Sequence, residues 1–136
     1  MRSDSAGGAL FNPDPAAYLP HRHPFLLLDR ITELERGIRA VAQLTITSGQ
    51  GFPQVLMIEC LAQLSGILTI SEENDGGFLA AIERADFSGA AQAGDLLTIS
   101  TRMISSFGRL FLVDGEVNCC GTTLLSARMT LGVGKL

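Results

Sequence analysis

The sequence is poor in histidine, cysteine and positive charge. Histidine occurs only as His21 and His23, and the three cysteines, Cys60, Cys119 and Cys120, form an odd set without a CxxC spacing. Such a pattern suggests neither a disulfide framework nor a structural zinc site, and the cytosol is the natural compartment for it. Lys and Arg number 10 against 14 Asp and Glu, for a net charge of -4 with no basic stripe. Non-specific nucleic-acid binding needs clustered cations to neutralise phosphates, so that class is set aside. A long hydrophobic run is also missing: the longest, Val55 to Ile70, is interrupted by Glu59, Gln63 and Ser65, and it falls short of a membrane span. The opening MRSDSAGGALFNPDP lacks the sustained apolar core of a signal peptide. The expectation is a soluble protein, with no membrane, nucleic-acid, metal or cofactor requirement written into its residues.

What is present is a globular composition. Apolar residues make up 46% and charged residues 18% of the 136 positions, enough for one domain with a real core. Residues 1–17, rich in Gly, Ser, Ala, Asp and Pro, read as a flexible N-terminal arm, leaving 18–136 as the domain. The run FLLLDRITEL from Phe25 and the alternating IRAVAQLTI from Ile38 predict a two-strand hairpin with Gly37 in its turn. Pro53 to Ser71 then predicts a helix, apolar around its whole circumference and so wrapped on most sides. After the break EENDGG come four strand-like stretches. Phe107-Gly108 marks one reversal, and Asp114-Gly115 reads as a tight turn or bulge. Cys119 and Cys120 read as strand neighbours that face opposite ways. Two strands, one buried helix and further strands make an α+β order, packed most simply as a curved antiparallel sheet around the helix.

Within that helix the stretch VLMIECLAQLSG carries one acid, Glu59. A carboxyl group withdrawn from water holds its proton more tightly, which suits a proton donor near neutral pH. The alternative is an acid paired with an arginine or held by backbone donors. Gln63 lies one turn beyond Glu59 on the same face, placed either to orient it or to pack at an interface. Cys60 points elsewhere and reads as a small core residue. Asp29-Arg30 reads as a strand-end charge pair.

LPHRHPFLLLDRI at residues 19 to 31 and VLMIECLAQLSGIL at residues 55 to 68 resemble two motifs of the 3-hydroxyacyl-acyl-carrier-protein dehydratases, of the forms LPHRxPFLLVDR and VLxxEAxAQxxG. A weaker likeness covers residues 78 to 99, where Ala93-Gly94-Asp95 stands for a Pro-Gly-Asp turn. The resemblance spans about residues 18 to 131. It implies a single hot-dog domain and a hydro-lyase acting on 3-hydroxyacyl thioesters of acyl carrier protein or coenzyme A in fatty-acid-type metabolism. It implies at least a homodimer, with trimers of dimers a common further assembly.

The resemblance also assigns roles and exposes a gap. Glu59 takes the place of the helix carboxyl group that assists the departing hydroxyl. Phe52, Gln54, Val55 and Gln63 fall where substrate contacts are expected, around the helix start and beside the acid. The family carries its catalytic histidine in a GHFPGxPxxPG loop ahead of the helix, whereas this chain passes from Ile46 to Val55 through TSGQGFPQ. His23 is then the candidate replacement base, against a structural role for both histidines in the LPHRHPF turn. Two other functions stay open: a non-catalytic acyl-thioester-binding or structural subunit, and a thioesterase of the same fold.

Overall fold

The structure, a computed structural model, describes residues 11–20, 25–47, 52–69 and 75–135. Among these residues a short 3-10 helix at Pro15–Ala17 precedes six strands and one α-helix in chain order: β1 (Arg30–Glu35), β2 (Arg39–Thr45), α1 (Gln54–Thr69), β3 (Asp75–Phe87), β4 (Leu96–Phe107), β5 (Leu110–Cys119) and β6 (Thr122–Lys135). All pairings are antiparallel, in the order β1-β2-β4-β5-β6-β3.

Alternation in the sequence decides which face of each strand turns inward. Ala40, Ala42 and Leu44 of β2 are buried, as are Leu97 and Ile99 of β4, Val113 and Val117 of β5, and Leu125, Ala127, Met129 and Leu131 of β6. They close on Met57, Cys60, Leu61, Leu64, Ile67 and Leu68 of α1. Each fully buried Leu, Ile, Val or Met contributes roughly 1.5–3 kcal/mol, so the wrapped helix is the centre of the core. A stripe at helical spacing, Val55, Glu59 and Ala62, stays uncovered or half-covered.

Glycines make the turns where φ is positive. Gly37 (75°) joins β1 to β2, Gly108 (61°) joins β4 to β5, and Gly94 (92°) sits in the Gln92–Asp95 turn, closed by Asp95 N donating to Gln92 O at 3.0 Å. Asp114-Gly115 is not a turn or bulge but lies inside β5, paired with β4 and β6. Its glycine answers to packing: a Cβ there would meet Leu61 Cδ2 at 2.7 Å. The β5–β6 reversal falls instead at Cys120-Gly121, with φ of 55° and 82°. Cys119 ends β5 and Cys120 belongs to the turn, so the two are not opposite-facing strand neighbours.

The N-terminal side differs from expectation in two ways. β1 starts at Arg30 rather than near Phe25, and Asp29 and Arg30 do not pair with each other, because neighbours in extended chain point to opposite sides. The Asp29 carboxylate accepts from Thr45 N at 2.8 Å, and Arg30 donates to Gln43 Oε1 at 3.4 Å. Of the arm over 1–17, residues 11–17 are tied to the domain: Ile31 N donates to Pro13 O at 2.8 Å, Pro15 is buried, and Phe11 packs on the core. Among the described residues no helix is long and apolar enough to cross a membrane.

Candidate functional site

Glu59 projects from the stripe of α1 that the sheet leaves open. Six strands curl around the other sides of the helix, with β3 at the end of the sheet and paired, among the described residues, to β6. The acid is therefore half-buried rather than enclosed, at a cleft of about 210 Å³. The walls are mostly apolar or bare backbone: Leu19, Pro20, Ala62, Gly66, Gly76, Gly77, Phe78, Leu79 and Leu131. β3 passes close to the helix at Gly77, whose Cβ position lies 3.5 Å from Gly66 Cα, ordinary van der Waals contact. Phe78 lies across Gly132, where a Cβ would come within 2.2 Å of the ring.

Gln63 fixes the acid to the segment ahead of β1. Only 2% exposed, it accepts from Leu27 N at 3.0 Å and donates through Nε2 to Phe25 O at 2.8 Å and to Glu59 Oε2 at 3.0 Å. The i, i+4 spacing read from the sequence thus places the pair in contact. The three bonds use both ends of the amide, so Gln63 orients Glu59 and leaves little capacity for a ligand.

The remaining sequence candidates lie elsewhere. Phe52 is half-buried and bridges Ala91, Gln54 donates through Nε2 to Gly89 O at 3.0 Å, and Val55 is 68% exposed. None of these three lines the Glu59 cleft. His21 and His23 lie outside the described residues, as do positions 48–51 of the shortened loop. Cys60 faces the core, and burial, with the nearby Glu59 and Asp29 charges, pushes its thiol up to about 12, which leaves it unreactive.

A larger hollow, about 340 Å³, lies on the outer face of the sheet. The pairing register aligns Arg39, Arg102, Asp114, Arg128 and Arg84 in one row across five strands. Arg128 donates to Asp114 at 2.7 and 3.0 Å, Arg84 pairs with Asp86 at 3.0 Å, and Arg39 pairs with Glu33 and Glu35. Paired, largely solvated charges make this a polar ladder. The smaller cleft, with an oriented carboxyl group among apolar walls, is the better ligand site.

Sequence reasoning missed the cleft walls. Gly76-Gly77 was legible only as a chain break, and its effect depends on β3 crossing the helix.

No protein-family model matches the chain. Among curated proteins it is 35% identical over 130 residues to the 3-hydroxyacyl-[acyl-carrier-protein] dehydratase FabZ of Caldicellulosiruptor bescii, covering 81% of this chain and 93% of the relative. The FabZ of Bacillus subtilis is 37% identical over 131 residues, covering 86% and 93%. Among solved structures, the dehydratase heterocomplex ApeI:P of Xenorhabdus doucetiae superposes with a TM-score of 0.79 at 20% identity, covering 93% of each chain. A Streptococcus mutans protein bound to acetyl CoA gives 0.70 at 18% identity, covering 87% of this chain and 97% of that one. The architecture is that of the hot-dog fold, as the sequence led one to expect.

Proposed function

Since the chain belongs to the 3-hydroxyacyl-[acyl-carrier-protein] dehydratase FabZ family, we propose that it acts on a 3-hydroxyacyl thioester, carried by acyl carrier protein or coenzyme A, with Glu59 as the acid at the departing hydroxyl. The observation that supports this reading is the Glu59 carboxyl group, aligned by Gln63 at the mouth of an apolar-walled cleft. Dehydration requires removal of an α-proton, stabilisation of the enolate on the thioester oxygen, and protonation of the leaving hydroxyl. An apolar cleft suits an acyl chain, and the orphan backbone N–H groups at a helix start suit a developing oxyanion. Glu59 supplies the third element.

The base is the element this chain has least of. No histidine follows His23 in the sequence. Loss of a general base costs on the order of 100- to 10,000-fold in rate, without abolishing binding. The short loop therefore favours a second reading, in which Glu59 completes a site whose base belongs to an adjoining subunit. β3 is the surface for that contact: its outer edge is unpaired among the described residues, and Phe78 (59% exposed), Ile82 and Phe87 stand exposed along it. A second copy on that edge would extend the sheet into a homodimer. An unlike subunit of the same fold would do so as well.

The test is interconversion of 3-hydroxyacyl and trans-2-enoyl thioesters by the purified chain, with Glu59→Gln alongside. Turnover lost in Glu59→Gln supports the assignment. Slow turnover that rises with added imidazole identifies the base as the missing part. Thioester binding without turnover, under either condition, would reduce the chain to a binding subunit. Release of free thiol would make it a thioesterase.

A further inference from the structure

The β5–β6 reversal sets two thiols together on an unfavourable backbone. A two-residue hairpin turn with positive φ at both central positions is the type I′ geometry, which glycine, asparagine and aspartate accept and a cysteine Cβ resists. Cys120 occupies the first of those positions at φ 55°, and among the described residues it is the one non-glycine with positive φ. The turn gains nothing from a thiol. A residue held in a sparsely populated conformation, where its type has no local advantage, points to a role for the side chain.

The same turn brings Cys119 Sγ and Cys120 Sγ to 3.3 Å, whereas neighbours in a regular strand would face opposite ways. The inner sulfur is sheltered, at 8% exposure for Cys119, and the outer one is open to solvent. The hydrogen bond to Cys120, burial and the neighbouring Asp95 together push the Cys119 thiol up to about 11. Cys119 therefore keeps its proton at neutral pH, and the sulfur first met by a reagent is the exposed one of Cys120. One thiol is placed to meet a reagent and its neighbour to resolve the product.

We propose that Cys119 and Cys120 form a reversible redox site that peroxide-class oxidants convert to a vicinal disulfide. The Cys120 sulfur attacks one oxygen of hydrogen peroxide, the O–O bond breaks, and a sulfenic acid forms with loss of one water. The Cys119 sulfur then attacks the sulfenic sulfur, the S–O bond breaks, and the Cys119 proton leaves with the hydroxyl as a second water. Two electrons pass from the sulfur pair to the peroxide. Neighbouring Cα atoms stand ~3.8 Å apart, closer than the ~4.4–6.8 Å usual for disulfides, so the bond is strained and reopens readily with a monothiol. Neither cysteine lines the Glu59 cleft. The pair lies instead by the Gln92–Asp95 turn, where Asp95 O accepts from Ile46 N at 2.9 Å.

The test uses the full chain, reduced, then treated with graded hydrogen peroxide, alkylated under denaturing conditions and digested with trypsin. The peptide running from Leu110 to Arg128 should lose the mass of two hydrogen atoms and both alkylation sites, and should recover both after glutathione. Cys60, buried, should stay alkylatable throughout. In Cys119→Ser the sulfenic acid on Cys120 should persist and be trapped by a dimedone probe, while in Cys120→Ser the inner thiol should survive the same dose. The proposal is overturned if the wild-type peptide keeps both thiols at a dose that oxidises Cys120 in Cys119→Ser. It is equally overturned if Cys120 proceeds to sulfinic acid or links two chains without the internal loss of two hydrogens.

Discussion

Replacing Gln63 with leucine tests how the Glu59 cleft is held together. The substitution keeps side-chain bulk and removes the amide that ties α1 to the segment ahead of β1. A neutral hydrogen bond contributes about 0.5–1.5 kcal/mol net, while a buried donor left unpaired costs about 1–3 kcal/mol. The Leu27 N–H is the group most affected, because Leu27 is half-buried, whereas Phe25 is 72% exposed and its carbonyl can turn to water. The leucine recovers part of the loss through apolar burial, leaving a net destabilisation of about 2 kcal/mol. Urea unfolding at fixed protein concentration should show a midpoint lower by about 1 M with an unchanged slope. Gln63→Glu retains an acceptor for Leu27 N but sets a second carboxylate one turn from Glu59, and should be no more stable. In the thioester assay a positioning role predicts a fall in kcat larger than any rise in KM. A Gln63→Leu protein within about 0.5 kcal/mol of the parent would refute the reasoning, since surface changes away from such features fall in that range.

Three further outcomes follow from geometry given above. Gly115→Ala should destabilise by about 1–3 kcal/mol, because fully buried Leu61 has no room to retreat; thermal unfolding reads this directly. Cys120→Asn should raise stability by about 0.5–1 kcal/mol, as asparagine accepts left-handed backbone, and a lowered melting temperature would contradict the turn assignment. Asp114 is held below the ordinary value of 3.8, chiefly by the hydrogen bond from Arg128. A depressed folded-state value gives stabilisation that is present above the ordinary value and lost as pH falls through the folded one. Arg128→Gln should therefore lower stability at neutral pH and flatten its loss as pH falls through the acid range, measured by denaturation across that range.

Much of the framework was legible because it rests on local pattern. The alternation of Ala40, Ala42 and Leu44 named the inner face of β2, and Gly37, Gly94 and Gly108 marked real reversals. The misread turn shows where local chemistry gives out. Asp-Gly is a strong turn dipeptide and Cys-Gly a poor one, yet the chain runs straight through Asp114-Gly115 because Leu61 needs the space, and reverses at Cys120-Gly121. At the site, Glu59 and Gln63 could be paired from helical spacing alone. The cleft beside them could not, since Gly66, Gly77 and Phe78 become neighbours only when β3 passes the helix. The bond from Gln54 to Gly89 O was out of reach for a related reason, since the two lie 35 positions apart.

β3 has one more consequence, for handling the protein. A 13-residue strand whose outer edge is unpaired among the described residues is a template on which foreign chains can grow fibrils. Its apolar half, around Phe78 and Ile82, has the composition for it, while Glu83, Arg84 and Asp86 act as gatekeepers farther along. Two breaks in register, at Leu79/Ala81 and Ile82/Arg84, bend the strand out of the flat shape that stacking demands. Concentrated stocks should cloud first in variants that straighten those kinks or remove those charges.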